Sequence, residues 1–252
     1  MDANSGPPPT PEVSAIKNHT LGAEGGRGKR RSISLGFLLV LIAVGFAANP
    51  VNGSDELRSA ITVRIYDYAQ VQRRTLHDSE FSAANILRKA GIETTWIQCP
   101  IDAAGVDVPL NCQQTMGPAV IVLRILPRFA SGRGLCRAGA LGFSVVPAGN
   151  ESGTYAGIFF DRVETVAKVG AVSPAEILGH VTAHEIGHLL LRSNQHSMVG
   201  IMRAQWNEED LRHASQGCLV FTAQQSRLIH AEVARRNRMQ QADALSETAG
   251  AR

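Results

Sequence analysis

The chain has 252 residues, 44% of them hydrophobic, and a formal net charge of +3. That length and apolar content suit one domain with a proper core once the ends are set aside. The small charge, part of which sits on Lys17, Arg27, Lys29, Arg30 and Arg31, argues against nucleic acid as a partner, as does the absence of a basic stripe with interleaved aromatics.

Residues 1–31 read as a disordered basic leader, rich in Pro, Gly, Ser and Ala and then cationic from Arg27 to Arg31. No charge follows until Asp55, and Leu35 to Ala48 is an almost unbroken apolar run of 14 residues. That is short for a membrane span, which needs about 20 residues, and fits the apolar region of a signal peptide. Gly45 and Ala47 offer a cleavage site after Ala47. Residues 32–48 are therefore expected to be a signal peptide or, if uncleaved, a membrane anchor through residues 33–48. Either outcome makes the protein secreted or periplasmic. Residues 49–60 read as a linker, 61–240 as the folded domain, expected to be monomeric, and 241–252 as a flexible tail.

Within the domain, the alternation from Ile61 to Val71 predicts a first strand, and Leu76 to Ala90, closed by Gly91, an amphipathic helix. Glu93 to Gln98 predicts a second strand. Ala119 to Leu126, nearly all apolar, predicts a third and central one. Gly139 to Val146 predicts a fourth strand at the sheet edge and Tyr155 to Phe160 a fifth. A long helix follows from Pro174 to Leu191, opened by the capping-box sequence Ser173-Pro174-Ala175-Glu176. A second such sequence, Thr222-Ala223-Gln224-Gln225, predicts a C-terminal helix to about Arg238. Four cysteines suit an oxidising compartment. Cys99 and Cys112 bracket a loop between two strands and are expected to pair, which by elimination leaves Cys136 with Cys218.

The long helix carries His184-Glu185-Ile186-Gly187-His188. Residues four apart project from one helix face, so both histidines can reach a single metal ion. Zn2+ takes such nitrogen ligands, and the glutamate beside them is placed to accept a proton from water. Three residues compete for the third ligand position. His196 follows the polar stretch Arg192-Ser193-Asn194-Gln195, which predicts a turn back toward the helix, with Asn194 suited to a left-handed conformation. Glu208 lies twenty positions after His188, a spacing that resembles the thermolysin-like gluzincins. His180 continues the four-residue rhythm, but three ligands on one straight helix would span about 12 Å, too long for one zinc with bonds near 2 Å. It reads as a packing residue.

The string HEIGHLLLRSNQHS at 184–197, followed by Gly200-Ile201-Met202, resembles the metzincin clan of zinc metallopeptidases. The likeness is strongest to matrixin-like bacterial proteins with an expanded motif. Leu191 stands where the clan has a turn glycine, and His196 falls two residues late, with Asn194 at the standard position. The resemblance implies His184, His188 and His196 as zinc ligands, Glu185 as general base, and Met202 as the methionine of a turn beneath the metal. It implies an α+β zincin-like fold, a twisted mixed sheet of about five strands with a zinc helix and a C-terminal helix. The edge strand, mapped onto Leu141 to Val146, would take up an extended peptide or protein substrate, and residues near Met202 and Trp206 would shape a side-chain pocket. No tyrosine follows the turn, the three being Tyr66, Tyr68 and Tyr155, so oxyanion stabilisation falls to the zinc. The expected activity is that of an exported zinc endopeptidase, with a non-catalytic zinc-binding module or a gluzincin-type site using Glu208 as the alternatives.

Overall fold

The computed structural model describes residues 59–102, 107–114, 116–127, 139–149 and 151–250. The leader, the apolar run at 32–48, most of the linker and Cys136 lie outside the described residues. Among the described residues no helix is long and apolar enough to cross a membrane.

Five strands form one sheet in the order β2-β1-β3-β5-β4: β1 (Ala60–Asp67), β2 (Glu93–Gln98), β3 (Val120–Leu126), β4 (Gly142–Val145) and β5 (Tyr155–Phe159). The first four in that order run parallel, and β4 pairs antiparallel with β5 at the edge. Parallel neighbours need a crossover, which α1 (Arg73–Lys89) supplies between β1 and β2. The apolar β3 lies in the middle, and the edge position of β4 agrees with its half-polar sequence. β2 has the expected limits, and the strand ends that differ from expectation do so by one to four residues. The largest difference is at β1, which stops at Asp67 because its carboxylate turns the chain by accepting from the N–H groups of Ala69 (3.1 Å) and Val71 (2.8 Å).

Three short helices add to these elements among the described residues. α2 (Leu110–Gln113) lies in the loop after β2, and α3 (Phe160–Val169) starts directly at the end of β5. α5 (Glu208–Ser215) is opened by a complete capping box between Asn207 and Asp210. The long helix, α4, runs from Pro174 to Leu191, with the expected limits. Its N-terminal box is only half formed. Ser173 Oγ accepts from the Ala175 N–H, but the Glu176 carboxylate accepts from Ser82 Oγ on α1 at 3.0 Å. The Thr222–Gln225 box is complete, with both reciprocal hydrogen bonds. It opens α6 (Ala223–Gly250), which continues well beyond Arg238 and replaces the expected flexible tail. Residues such as Gln240, Ala242, Ala244 and Leu245 extend the helix by intrinsic preference.

α4 is the axis of the core. Fifteen of its 18 residues are buried, so it is enclosed on every side rather than half exposed as an amphipathic surface helix is. Ile177, Leu178, Val181, Ile186, Leu189 and Leu190 pack with Ile61, Val63, Ile65 and Leu123 of the sheet and with Leu87 of α1. Gly179 lets α1 approach, since a Cβ there would lie 2.6 Å from that of Ser82. At its far end α4 is held by Arg236 of α6, which is 0% exposed. The guanidinium donates to Leu189 O (2.8 Å), Gly153 O (2.9 Å), Pro118 O (3.2 Å) and Glu232 Oε1 (2.8 Å), so one buried cation ties α6 to α4 and to the starts of β3 and β5.

Cys99 and Cys112 are joined in a disulfide across 13 residues, as expected. Cys218 is an exposed free thiol, and its expected partner Cys136 lies outside the described residues. Cys218 sits just after α5, where the turn is fixed by backbone bonds of Gly217 and Cys218 to Ala214 and His213. Elimination on cysteine number alone carries no such geometry.

Two stability predictions follow from these contacts. Closure of a loop of this size is worth about 3 kcal/mol, so Cys99→Ser with Cys112→Ser lowers the unfolding free energy in urea by about that amount, and reductant reproduces the loss in the unaltered chain. Burial alone would push the Glu232 carboxyl up, but the hydrogen bonds and charges of Arg235 and Arg236 outweigh it and hold its pKa below the ordinary value. The stabilisation is therefore complete above the unfolded carboxyl pKa of about 4.5 and is lost as pH falls through the lower folded value. Urea melts between pH 6 and 2.5 show this loss, and Glu232→Gln, already weaker at pH 6, flattens the slope.

Candidate metal centre

His184 and His188 are one turn apart in the last half of α4, and both are buried. Burial of two imidazoles requires partners for their ring nitrogens. His184 Nδ1 donates to Ile201 O at 2.7 Å and His188 Nδ1 to Ser193 O at 2.7 Å. With Nδ1 protonated in each, Nε2 carries a lone pair in each, and these two atoms face one another 3.1 Å apart. Burial, with the neighbouring His188 next in effect, pushes the His184 pKa down to about 3, and burial lowers that of His188 as well. At neutral pH neither ring is an imidazolium.

His196 joins this pair from the turn beyond α4. Its ring centroid lies 4.8 Å from that of His188 and 5.4 Å from that of His184, and the ligand nitrogens of all three lie within 4.8 Å of one another. Unlike the other two it is exposed, so the cluster opens to solvent on its side. The chain reaches it through a left-handed residue, as a helix reversal requires, but not at the expected place. α4 runs on through Leu191, and Arg192 takes the left-handed cap at φ 52°, ψ 39°. Asn194 does not take that role. The cap is fixed by the Arg192 N–H bond to His188 O and by the guanidinium bond to Gly149 O. The left-handed residue thus falls one past the position expected for a turn glycine, and the longer polar stretch still returns His196 to the cluster.

Of the other candidates, Glu208 is exposed in the first turn of α5 and is no part of the cluster. Its neighbours Asn207 and Asp210 are engaged in the cap, and Asp210 also pairs with Arg203 at 3.0 Å. His180 is fully buried, with Nδ1 bonded to Glu176 O at 2.8 Å and Nε2 without a partner among the described residues. It lies outside the cluster, as the span of a straight helix requires.

Met202 is 1% exposed and lies under the helix at Gly187, where a Cβ would come within 2.7 Å of its sulfur. The turn that carries it is closed by Ser197 N–H to Met202 O (2.8 Å) and Ile201 N–H to Val220 O (3.0 Å), with Gly200 at φ 73°. The same turn supplies the Ile201 carbonyl that holds His184.

Glu185 is buried beside the histidines and faces β4. Ser144 Oγ donates to its Oε2 at 2.6 Å, and Oε1 lies where a Cβ on residue 142 would be 2.8 Å away, so glycine at Gly142 makes the room. Burial raises the Glu185 pKa to about 7, against the opposing bond from Ser144. Sequence reasoning did not find Ser144. The Gly142-Phe143-Ser144 string has no signal of its own, and its partner is 41 residues away.

The donor set fits a zinc ion. Two neutral imidazole nitrogens with facing lone pairs repel one another unless a cation lies between them. Their 3.1 Å separation is close to the roughly 3.4 Å expected of two nitrogens bound tetrahedrally to one zinc at 2.0–2.1 Å. Protonation is the other way to relieve the pair, and burial opposes it.

The chain is similar in structure to an archaemetzincin from Methanopyrus kandleri, at 11% sequence identity and a TM-score of 0.44, over 70% of this chain and 97% of that one. No protein-family model matches the sequence, and no curated protein matches it.

The cap at Arg192 generates a prediction about the turn. A left-handed conformation costs a residue with a Cβ about 1 kcal/mol more than it costs glycine. Arg192→Gly and Arg192→Ala both remove the bond to Gly149, so the glycine variant exceeds the alanine variant in unfolding free energy by about 1 kcal/mol in urea melts.

Proposed function

We propose that this protein is an exported zinc-dependent endopeptidase, of the metzincin type that the sequence motif resembles, in which His184, His188 and His196 hold the metal and Glu185 is the general base. The observation that carries the reading is the pair of facing Nε2 lone pairs at 3.1 Å with His196 alongside and a buried carboxylate next to them. Three imidazoles leave a fourth position of a tetrahedral ion for water or substrate, which is the arrangement of catalytic rather than structural zinc.

Lewis-acid chemistry, the polarising of a carbonyl and the acidifying of water near neutral pH, is what a bound zinc supplies. The rest falls to the chain. Ser144 occupies Oε2 of Glu185, so Oε1, beside Gly142, is the atom left to take a proton from water and pass it to the leaving amine. A carboxyl whose pKa lies near 7 both accepts and releases a proton at neutral pH. β4 carries Gly142 and Ser144 and, among the described residues, has a sheet neighbour on one side only. A peptide or protein substrate in extended form pairs with its other side by backbone hydrogen bonds, which brings the scissile bond over Glu185 and asks little of sequence. The disulfide between Cys99 and Cys112 supports an oxidising, extracytoplasmic location. Residues 32–48 act as the export signal, or as an anchor through residues 33–48 if they are not removed.

Metal analysis and proteolysis test this reading. The purified chain is expected to hold one zinc and to cleave casein or gelatin. Glu185→Gln keeps the zinc and loses at least about 100-fold in cleavage rate, the scale of general-base catalysis. His196→Ala loses the zinc, and Glu208→Ala keeps it. Stoichiometric zinc with no cleavage dependent on Glu185 sinks the peptidase reading, and zinc lost in Glu208→Ala but kept in His196→Ala reverses the ligand assignment.

A further inference from the structure

The carbonyl of Ile201 accepts two hydrogen bonds, one from His184 Nδ1 at 2.7 Å and one from Trp206 Nε1 at 3.1 Å. Ile201 itself is fully buried, and its N–H is bonded to Val220 O. The indole of Trp206 stands edge-on to the ring of His184, with centroids 5.9 Å apart and planes at 77°, and edge-on to His180 at 6.2 Å and 85°. Trp206 is thus placed against two successive histidines of α4 while its N–H reaches the carbonyl that one of them uses.

The second donor matters because of what the first must do. A neutral imidazole has two tautomers, and the one adopted is set by the partner of the other nitrogen. His184 keeps its Nε2 lone pair on the metal side only while Nδ1–H has a fixed acceptor. That acceptor lies in a turn opened by Gly200 at φ 73° and closed by the Ser197 N–H to Met202 O bond. A carbonyl oxygen has two lone pairs, and a rigid aromatic donor on the second fixes the direction of the first. A bulky apolar side chain would fill the same space without that effect.

We propose that Trp206 is a positioning residue of the metal centre: its indole N–H, by sharing the Ile201 carbonyl with His184, holds His184 in the tautomer and orientation that present Nε2 to the metal. The proposal rests on the reading of the three histidines as a zinc site. It gives Trp206 a role beyond core packing and beyond a wall of a substrate pocket.

The decisive variant removes the N–H and keeps an aromatic ring. Trp206→Phe is expected to raise the zinc Kd by about tenfold in chelator competition, the loss typical when a partner behind a metal ligand is removed. Trp96→Phe, on the opposite sheet edge with its N–H bonded to Thr94, is expected to leave the Kd unchanged. In the metal-free protein, nitrogen–proton correlation spectra of the imidazoles should show His184 as a single Nδ1–H tautomer in the unaltered chain and as a mixture in Trp206→Phe. If that variant does not fold, benzothienylalanine in a Trp96→Phe background replaces the N–H of residue 206 by sulfur with little change of ring shape. A folded chain that lacks the N–H and keeps both the zinc Kd and the His184 tautomer overturns the proposal. Failure of the unaltered chain to bind zinc would instead defeat the metal reading, and the tautomer measurement would still decide the role of Trp206.

Discussion

The structure depends on the near-complete burial of α4. A helix with one wet face can leave its polar side chains to water, but here the histidines and the glutamate lie inside with the leucines. Buried polar groups need partners, and apart from the Glu176 carbonyl that takes His180 Nδ1, the helix's own backbone does not supply them here. The partners come from elsewhere: Ile201 and Ser193 carbonyls for the two histidines, Ser144 for Glu185, and Arg236 for the Leu189 carbonyl. Each bond fixes a different segment against the helix. The turn carrying Met202, the turn leading to His196, the edge strand and the C-terminal helix are all docked by the polar requirements of one element.

The same constraint shapes the electrostatics. A low-dielectric surrounding disfavours charge on every titratable group in it, whichever its sign. It therefore keeps the buried histidines neutral and pushes Glu185 toward its acid form. Neutral imidazoles are what a metal needs, and a carboxyl poised near neutrality is what proton transfer needs. Arg236 is the contrasting case. It is fully enclosed, and it persists because three carbonyls and Glu232 satisfy it on all sides. Through the Leu189 carbonyl, it holds the end of the helix on which the histidines stand.

Much of this was legible in sequence where the signal is local. Ser173-Pro174 and the apolar spacing gave both limits of α4, and the unbroken apolar run of β3 gave its central place. The approach of Cys99 to Cys112 followed from the short loop between them. Readings went astray where a local pattern had a distant competitor. Glu176 has the spacing of a capping-box partner but is drawn to Ser82, 94 residues away. Asn194 suits a left-handed turn, yet Arg192, directly after the helix, takes it, held from Gly149.

By itself the sequence determined that two histidines and a glutamate share one region of a capped helix, because a spacing of four is a property of the helix and needs nothing else. It also narrowed the third histidine to a short list. Tertiary structure decided which of His196, Glu208 and His180 meets that pair, which nitrogen of each buried ring carries its proton, and which hydroxyl holds the glutamate. Those are matters of hydrogen-bond partners 17 and 41 residues away. Periodicity describes one element at a time, whereas the polar groups of a buried element are satisfied only by whichever others fold against it.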